Sequence, residues 1–257
     1  MRCALIIEYD GTEFNGWQRQ PTAPSVQQVV ERALCRVADQ DVKTTCAGRT
    51  DSGVHALAQV VHFDTDAQRP ARSWRLGANT HLPSTVSVVW AGTVADDFNA
   101  RFSAVERSYR YLILNRSSRA AISQNRAWSV PRPLDVQRMR RAAPYFLGEH
   151  DFSAFRSANC QAKNPIRTVA CLEIEAFGEY IVVQISANAF LQNMVRIVTG
   201  VLVTVGSGEQ EPQWVGELLR HGDRTLGGPT VPACGLCLLQ VRYPNEYGIP
   251  LLRAPFI

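Results

Sequence analysis

The chain has 257 residues, 46% apolar and 19% charged, enough to bury a sizeable core as one large domain or two ordinary ones and too apolar for global disorder. Its 27 basic and 23 acidic residues leave a formal charge of +4, too modest to name a partner by itself. The longest apolar stretch, Val195 to Val205, is interrupted by Arg196 and Thr199 and falls well short of the ~20 residues a membrane helix needs.

In chain order, Cys3 to Tyr9 reads as a strand, turned by Asp10-Gly11-Thr12. Ser25 fits the cap of a helix whose apolar residues, Val26, Val29, Val30, Ala33, Leu34 and Val37, recur at helical spacing, with Gln28 placed for a capping box. Val42 to Ala47 is a short strand, residues 48 to 55 a Gly-rich connection, and Gln59 to Asp64 the next strand. A helix opening at Pro70 and running to about Leu76 and a strand from Thr85 to Val89 complete a β-α-β-β-α-β order, the ferredoxin-like split pattern. The second half repeats it. Ser108 to Leu114 is a strand with Tyr109 and Tyr111 on one face, and Asp135 to Leu147 a helix. Ile166 to Ala176 and Tyr180 to Ser186 form a hairpin across Phe177-Gly178-Glu179. Ala189 to Val205 and Gln213 to Arg220 are helices, and Gly235 to Val241 a final strand. The expected fold is therefore α+β, with two ferredoxin-like domains, 1–100 and 101–257, each an antiparallel sheet packed with helices. A groove between two such domains is a natural ligand site.

The bases are unevenly chosen and placed. All are arginine except Lys43 and Lys163. Arg101, Arg107, Arg110, Arg116 and Arg119 face one acid, Glu106, and Arg132, Arg138, Arg140 and Arg141 face Asp135. Arginine pairs bidentately with phosphate, so a nucleic acid backbone fits these clusters. The seven cysteines form no framework and no secretory leader precedes the first strand, which points to a reducing cytoplasm. Cys234 and Cys237 have CxxC spacing, but with no second pair and apolar flanks a metal or redox role is disfavoured. Gly227-Gly228-Pro229 has no phosphate-loop lysine, so an ATP site is not indicated.

Chemistry concentrates in Gly48-Arg49-Thr50-Asp51-Ser52-Gly53-Val54-His55-Ala56. Two glycines allow backbone shapes closed to other residues, and strands on both sides hold the loop at a sheet edge, where reactive groups are often placed. A surface hairpin with an Asx turn at Asp51 is the plainer interpretation of the pattern alone. Beside them, Trp17-Gln18-Arg19-Gln20 makes a polar and aromatic loop suited to gripping RNA.

This segment resembles the signature of the bacterial tRNA pseudouridine synthase A family. The stretches YDGTEFNGWQRQP, DDFNARFSAVERSYRYLILN, HDFSAFRSANCQ, FLQNMVRIVTG and GGPTVPACGL are similar to that family's in the same order, nearly end to end. The resemblance implies two ferredoxin-like halves across a basic cleft, a homodimer, and isomerisation of uridine at positions 38, 39 and 40 of the tRNA anticodon arm, without metal or organic cofactor. It makes Asp51 the catalytic carboxylate and puts Arg49 beside the flipped base or phosphate. Tyr109 would pack on the target base, Arg196 would pair with the aspartate, and Leu236 would line the apolar pocket. His55, Arg19, Arg101, Arg107 and Arg110 are further candidate RNA contacts. Val231-Pro232-Ala233, Asn99 and Asn188-Ala189 depart from the commoner family residues without touching these positions. A non-catalytic RNA-binding protein would use the same arginines but leaves a carboxylate among them unexplained. A uracil-releasing hydrolase is the other alternative.

Overall fold

The computed structural model describes residues 1–252. The chain divides into two compact units, Met1–Glu106 with the segment from Cys237 onward, and Arg107–Leu236.

In the first unit β1 (Arg2–Tyr9), α1 (Val26–Ala38), β2 (Thr45–Cys46), β3 (His55–Asp64), α2 (Ala71–His81) and β4 (Val86–Val94) follow one another. β1 lies between β3 and β4, antiparallel to both. Its run from Cys3 to Ile7 is buried on both faces, which is why it reads as continuously apolar instead of alternating. Ser25 Oγ accepts from the Gln28 N–H at 3.4 Å, capping α1 as expected. The buried stripe Val26, Val30, Ala33 and Leu34 of α1 packs beside α2, and Trp74 of α2 meets Phe63 of β3 edge-on at 5.1 Å.

After β4 the chain makes an anchored turn. Phe98 is fully buried against His62, Tyr243 and Tyr247. The Ala100 N–H donates to His62 Nδ1 at 3.0 Å, and the Tyr243 hydroxyl donates to the Ala100 carbonyl at 2.6 Å. Burial, then the Arg2 charge, hold the His62 pKa below its ordinary value, with Asp64 opposing. The unfolded chain takes up a proton at the ordinary value, about 6.5, and the folded one only lower. His62 therefore costs nothing above that value and destabilises the fold as pH falls below it. Melting temperature measured from pH ~7 to ~5 is expected to fall more steeply in the wild type than in His62→Gln. Equal slopes would contradict this role.

The second unit contains β5 (Glu106–Asn115), β6 (Trp128–Val130), α3 (Val136–Ala142), β7 (Gly148–Asp151), β8 (Ile166–Phe177), β9 (Tyr180–Ala187), α4 (Met194–Gly206) and α5 (Trp214–His221). Its strands run in the order β5-β9-β8-β7, all antiparallel, with β6 parallel to β5. Phe177 pairs with Tyr180 across the expected hairpin turn, where Gly178 has φ +60°. α4 is buried nearly all round, and α3 packs against it. β10 (Leu236–Arg242) follows, and its Cys237 and Leu238 pair parallel with His55 and Ala56 of β3. β2 pairs antiparallel with Thr45 opposite His62, so β2 and β10 share the β3 edge that β1 leaves open. The final strand therefore completes the first unit's sheet, although it follows the second unit in sequence.

Several bounds differ from expectation for identifiable reasons. α3 stops at Ala142 and continues as a 3₁₀ turn through Phe146, because Pro144 has no N–H to donate. α4 begins at Met194, five residues later than expected, because Asn193 at φ +62° and the Asn188 side chain, accepting from Thr168 and Ala189 N–H groups, hold the approach in a non-helical course. β3 starts at His55, and β2 is reduced to two residues. Among the described residues no helix is long and apolar enough to cross a membrane.

Candidate active site

Residues 47–54 connect β2 to β3, and the backbone of residues 14–17 clamps them. The Ser52 hydroxyl and Gly53 N–H both donate to the Phe14 carbonyl at 3.3 Å, and the Trp17 N–H donates to the Thr50 carbonyl at 3.0 Å. The Val54 N–H returns to the Asp51 carbonyl at 3.1 Å, closing a turn in which Gly53 has φ +77°. The approach is too close for side chains. At Gly16, φ +87°, a Cβ would stand 2.6 Å from the Thr50 carbonyl oxygen, and at Gly11 one would stand 2.1 Å from that of Val54.

A buried polar relay supports the loop from the sheet. Tyr9 Oη and Thr50 Oγ1 are 2.7 Å apart. Gln59 Nε2 donates to the Gly48 carbonyl at 2.6 Å and to Tyr9 Oη at 3.5 Å. Tyr9, Thr50 and Gln59 are all buried. Gly48 and Thr50, the residues flanking Arg49, are thus fixed from below, while Arg49 is exposed and Asp51 half-buried. The backbone that carries Asp51 therefore has little freedom to move, and preorganisation of this kind is what a reacting group requires.

His55 opens β3 and is buried. Its Nδ1 lies 3.1 Å from the Gly11 N–H donor and 3.1 Å from Asp10 Oδ1. Through Gly11 and Asp10 it ties the residue 10–12 turn to β3. Asp10 Oδ1 closes that turn, accepting from the Thr12 N–H at 3.0 Å and hydroxyl at 2.5 Å. Arg19 is exposed, its guanidinium 3.7 Å from the buried Glu31. Arg101 is exposed on the turn after Phe98. Burial pushes the Cys46 thiol up to about 11, and Arg49 and Arg101 both act to lower it.

In the second unit Tyr109 lies on β5 opposite Ile185, almost buried, with Phe190 edge-on at 5.1 Å. Arg107 Nη1 donates to the Asn188 carbonyl at 2.8 Å, and Arg110 is half-buried opposite Gln184. Arg196, in the first turn of α4, donates from Nε to the Val231 carbonyl at 2.7 Å and from Nη1 to Asn193 Oδ1 at 2.8 Å. Tyr111 donates to the Pro232 carbonyl at 2.6 Å. Burial raises its pKa, Cys234 adds to this and Arg196 opposes it. Gly235 passes so close that a Cβ would meet the Tyr111 ring at 2.6 Å, and Leu236 follows it, buried. Arg196, Tyr111 and residues 231–236 are therefore one packed group. Burial also raises the Cys234 thiol, the opposite of what an activated cysteine needs.

Sequence reasoning did not find Tyr9, Thr50 and Gln59 as the loop's support, Gly16 as its wedge, or Asn193 and the Val231 carbonyl as acceptors from Arg196. Gly16 sat within a motif already singled out; the relay joins residues up to 50 positions apart and leaves no local signal.

Comparison with known proteins shows the family. A family model described as tRNA pseudouridine synthase matches residues 5–103 and 142–244. The chain is 52% identical to the tRNA pseudouridine synthase A of Methylococcus capsulatus, covering 97% of this chain and 92% of that one. It is 50% identical to the enzyme of that name from Pseudoalteromonas atlantica, over 98% and 96%, and 49% identical to that from Vibrio cholerae, over 97% and 95%. With the family model matching most of the chain and half-identical relatives matching it nearly end to end, this protein belongs to the tRNA pseudouridine synthase family.

Proposed function

We propose that the protein isomerises uridine to pseudouridine at positions 38, 39 and 40 of the tRNA anticodon arm, with Asp51 as the catalytic carboxylate. The observation that supports this most is the half-buried Asp51 in a loop pinned by the residue 14–17 backbone and by the Tyr9–Thr50–Gln59 relay. In the reaction the bond from uracil N1 to ribose C1′ breaks, the base turns, and C5 bonds to C1′. C5 loses its hydrogen as a proton and N1 gains one, so electrons balance without an oxidant or reductant. Asp51 serves either as nucleophile or as the base that takes the 2′ proton on a glycal-like route, and both require it ionised.

The base must leave its stack, at a cost of a few kcal/mol. Stacking on Tyr109 would return roughly 1–3 kcal/mol of that. Arg49 and Arg196 are assigned to the flipped nucleotide and to the carboxylate, and Leu236 to the apolar side of the base. Two ferredoxin-like halves, 1–100 carrying Asp51 and 101–257 carrying Tyr109, Arg196 and Leu236, are part of the same reading, as are a homodimer and a cytoplasmic site of action. Residues 253–257 lie outside those described. The strand order β4-β1-β3-β2 in the first unit supports it.

Nucleoside analysis of treated tRNA tests the proposal. Pseudouridine is expected to appear in place of uridine at the three positions, with no free uracil. Free uracil would identify a hydrolase, and binding without conversion a recognition module.

The relay makes a separate prediction. Tyr9→Phe removes the hydroxyl bonded to Thr50 and is expected to cost about 1 kcal/mol of stability, a melting shift of roughly 2–4 °C. It is expected to lower kcat several-fold with KM for tRNA unchanged. A variant with wild-type kcat would show that the relay does not position the loop.

A further inference from the structure

The turn after Phe98 carries a feature that the assigned residues do not use. Phe102 is 78% exposed, although an exposed phenylalanine gains nothing from the core. It is presented rigidly. Asn99 Oδ1 accepts from the N–H groups of both Arg101 and Phe102, at 3.0 and 3.1 Å. The Asn99 N–H donates to Ser103 Oγ at 3.0 Å, and the Ser103 N–H returns to the Asn99 carbonyl at 2.9 Å. The adjacent Ala100 is held by His62 and Tyr243, and Phe98 is fully buried beneath.

The Arg101 guanidinium carbon stands 5.4 Å from the Phe102 ring centroid, so cation and ring form one unit. The turn joins the sheet beside the catalytic loop, since Ala100 bonds His62, which pairs with Thr45 of β2, the strand that leads into that loop. An exposed aromatic ring beside a guanidinium, on a turn whose backbone is held by Asn99 and Ser103, suits a nucleotide, whose base stacks while its phosphate meets the charge. Aromatic residues and arginine also mark protein interfaces, so a second copy of the chain is the competing occupant, and sedimentation tests it.

We propose that Phe102 and Arg101 form a stacking platform for an unpaired nucleotide of the substrate RNA next to the one being isomerised. This rests on tRNA being the substrate. It makes Phe102 a binding residue that no catalytic step uses.

The test measures tRNA binding and steady-state kinetics with unmodified tRNA transcript for the wild type, Phe102→Ala, Phe102→Trp and Arg101→Gln. Phe102→Ala is expected to raise Kd and KM about tenfold or more while leaving kcat and melting temperature unchanged, with Phe102→Trp restoring affinity. Arg101→Gln is expected to reduce the salt dependence of log Kd by about one phosphate contact. Wild-type Kd in Phe102→Ala would overturn the platform while leaving the proposed isomerase intact. So would a change of sedimentation coefficient without a change in Kd, which would assign the face to a second copy. A wild type that neither binds nor converts tRNA would overturn the proposed function, and the platform with it.

Discussion

Asp51→Asn is expected to lower pseudouridine formation by roughly 10⁴-fold, the scale on which removing a reacting side chain acts, while tRNA affinity stays within about twofold of wild type. Asparagine keeps the size and shape of the residue and changes only its charge and basicity. The loop should hold its course, because its contacts to Phe14, Trp17, Tyr9 and Gln59 run through the backbone of residues 48–54 and the Thr50 and Ser52 hydroxyls. Losing a negative charge beside an RNA backbone does not weaken phosphate binding. Loss of turnover with retained affinity therefore separates a catalytic carboxylate from one that merely closes a turn. A folded variant with more than about a tenth of wild-type turnover would remove Asp51 from the chemistry.

Gly16→Ala is expected to be nearly as damaging, although it leaves every candidate catalytic side chain in place. Two costs combine. Alanine at φ +87° is disfavoured by roughly 1–3 kcal/mol. The new methyl would also stand 2.6 Å from the Thr50 carbonyl oxygen and 3.1 Å from both the Asp51 carbonyl carbon and the Ser52 nitrogen, backbone atoms that cannot swing aside as a flexible side chain would. The wedge falls on the residues that carry the carboxylate, so relief moves Asp51. Activity is expected to fall by about 100-fold or more, since displacement of about 1 Å has that effect, with melting lowered by roughly 5–10 °C. Wild-type kcat in Gly16→Ala would mean that the loop's exact course is irrelevant to catalysis.

Much of the local structure was legible because local chemistry decides it. β1 announces itself by an unbroken apolar run and the β8–β9 hairpin by Phe177-Gly178-Glu179 between alternating strands, and both form there. α1 follows its periodicity and its Ser25 cap. β7, with the sequence Gly-Glu-His-Asp, has no alternation to read and exists because β8 offers it an edge. β6 likewise depends on β5. The last strand was visible as a strand, but its pairing with β3 is a long-range choice that no local pattern encodes.

The site divides in the same way. Gly48, Gly53 and the polar residues between them marked the loop, and Asp51 stood out as the one acid among them. What holds the loop was hidden, because Gln59, Tyr9 and Thr50 meet only when β1 and β3 pair. His55, a candidate for packing or RNA contact from its sequence, is 6% exposed and ties the Gly11 turn to β3, a link that forms only when the two are brought together. Asp10 accepts from Thr12 in the turn expected of Asp10-Gly11-Thr12.

The central claim is that this loop moves the glycosidic bond from N1 to C5 through Asp51. Tritium release from tRNA labelled at uridine C5, measured in parallel for wild type and Asp51→Asn, tests it most directly, because C5 surrenders its hydrogen only when it becomes the new glycosidic carbon. Release by the wild type in step with pseudouridine formed, and none by the variant, is the predicted result. Equal release by both proteins, or none by a folded wild type that binds the tRNA, would contradict it.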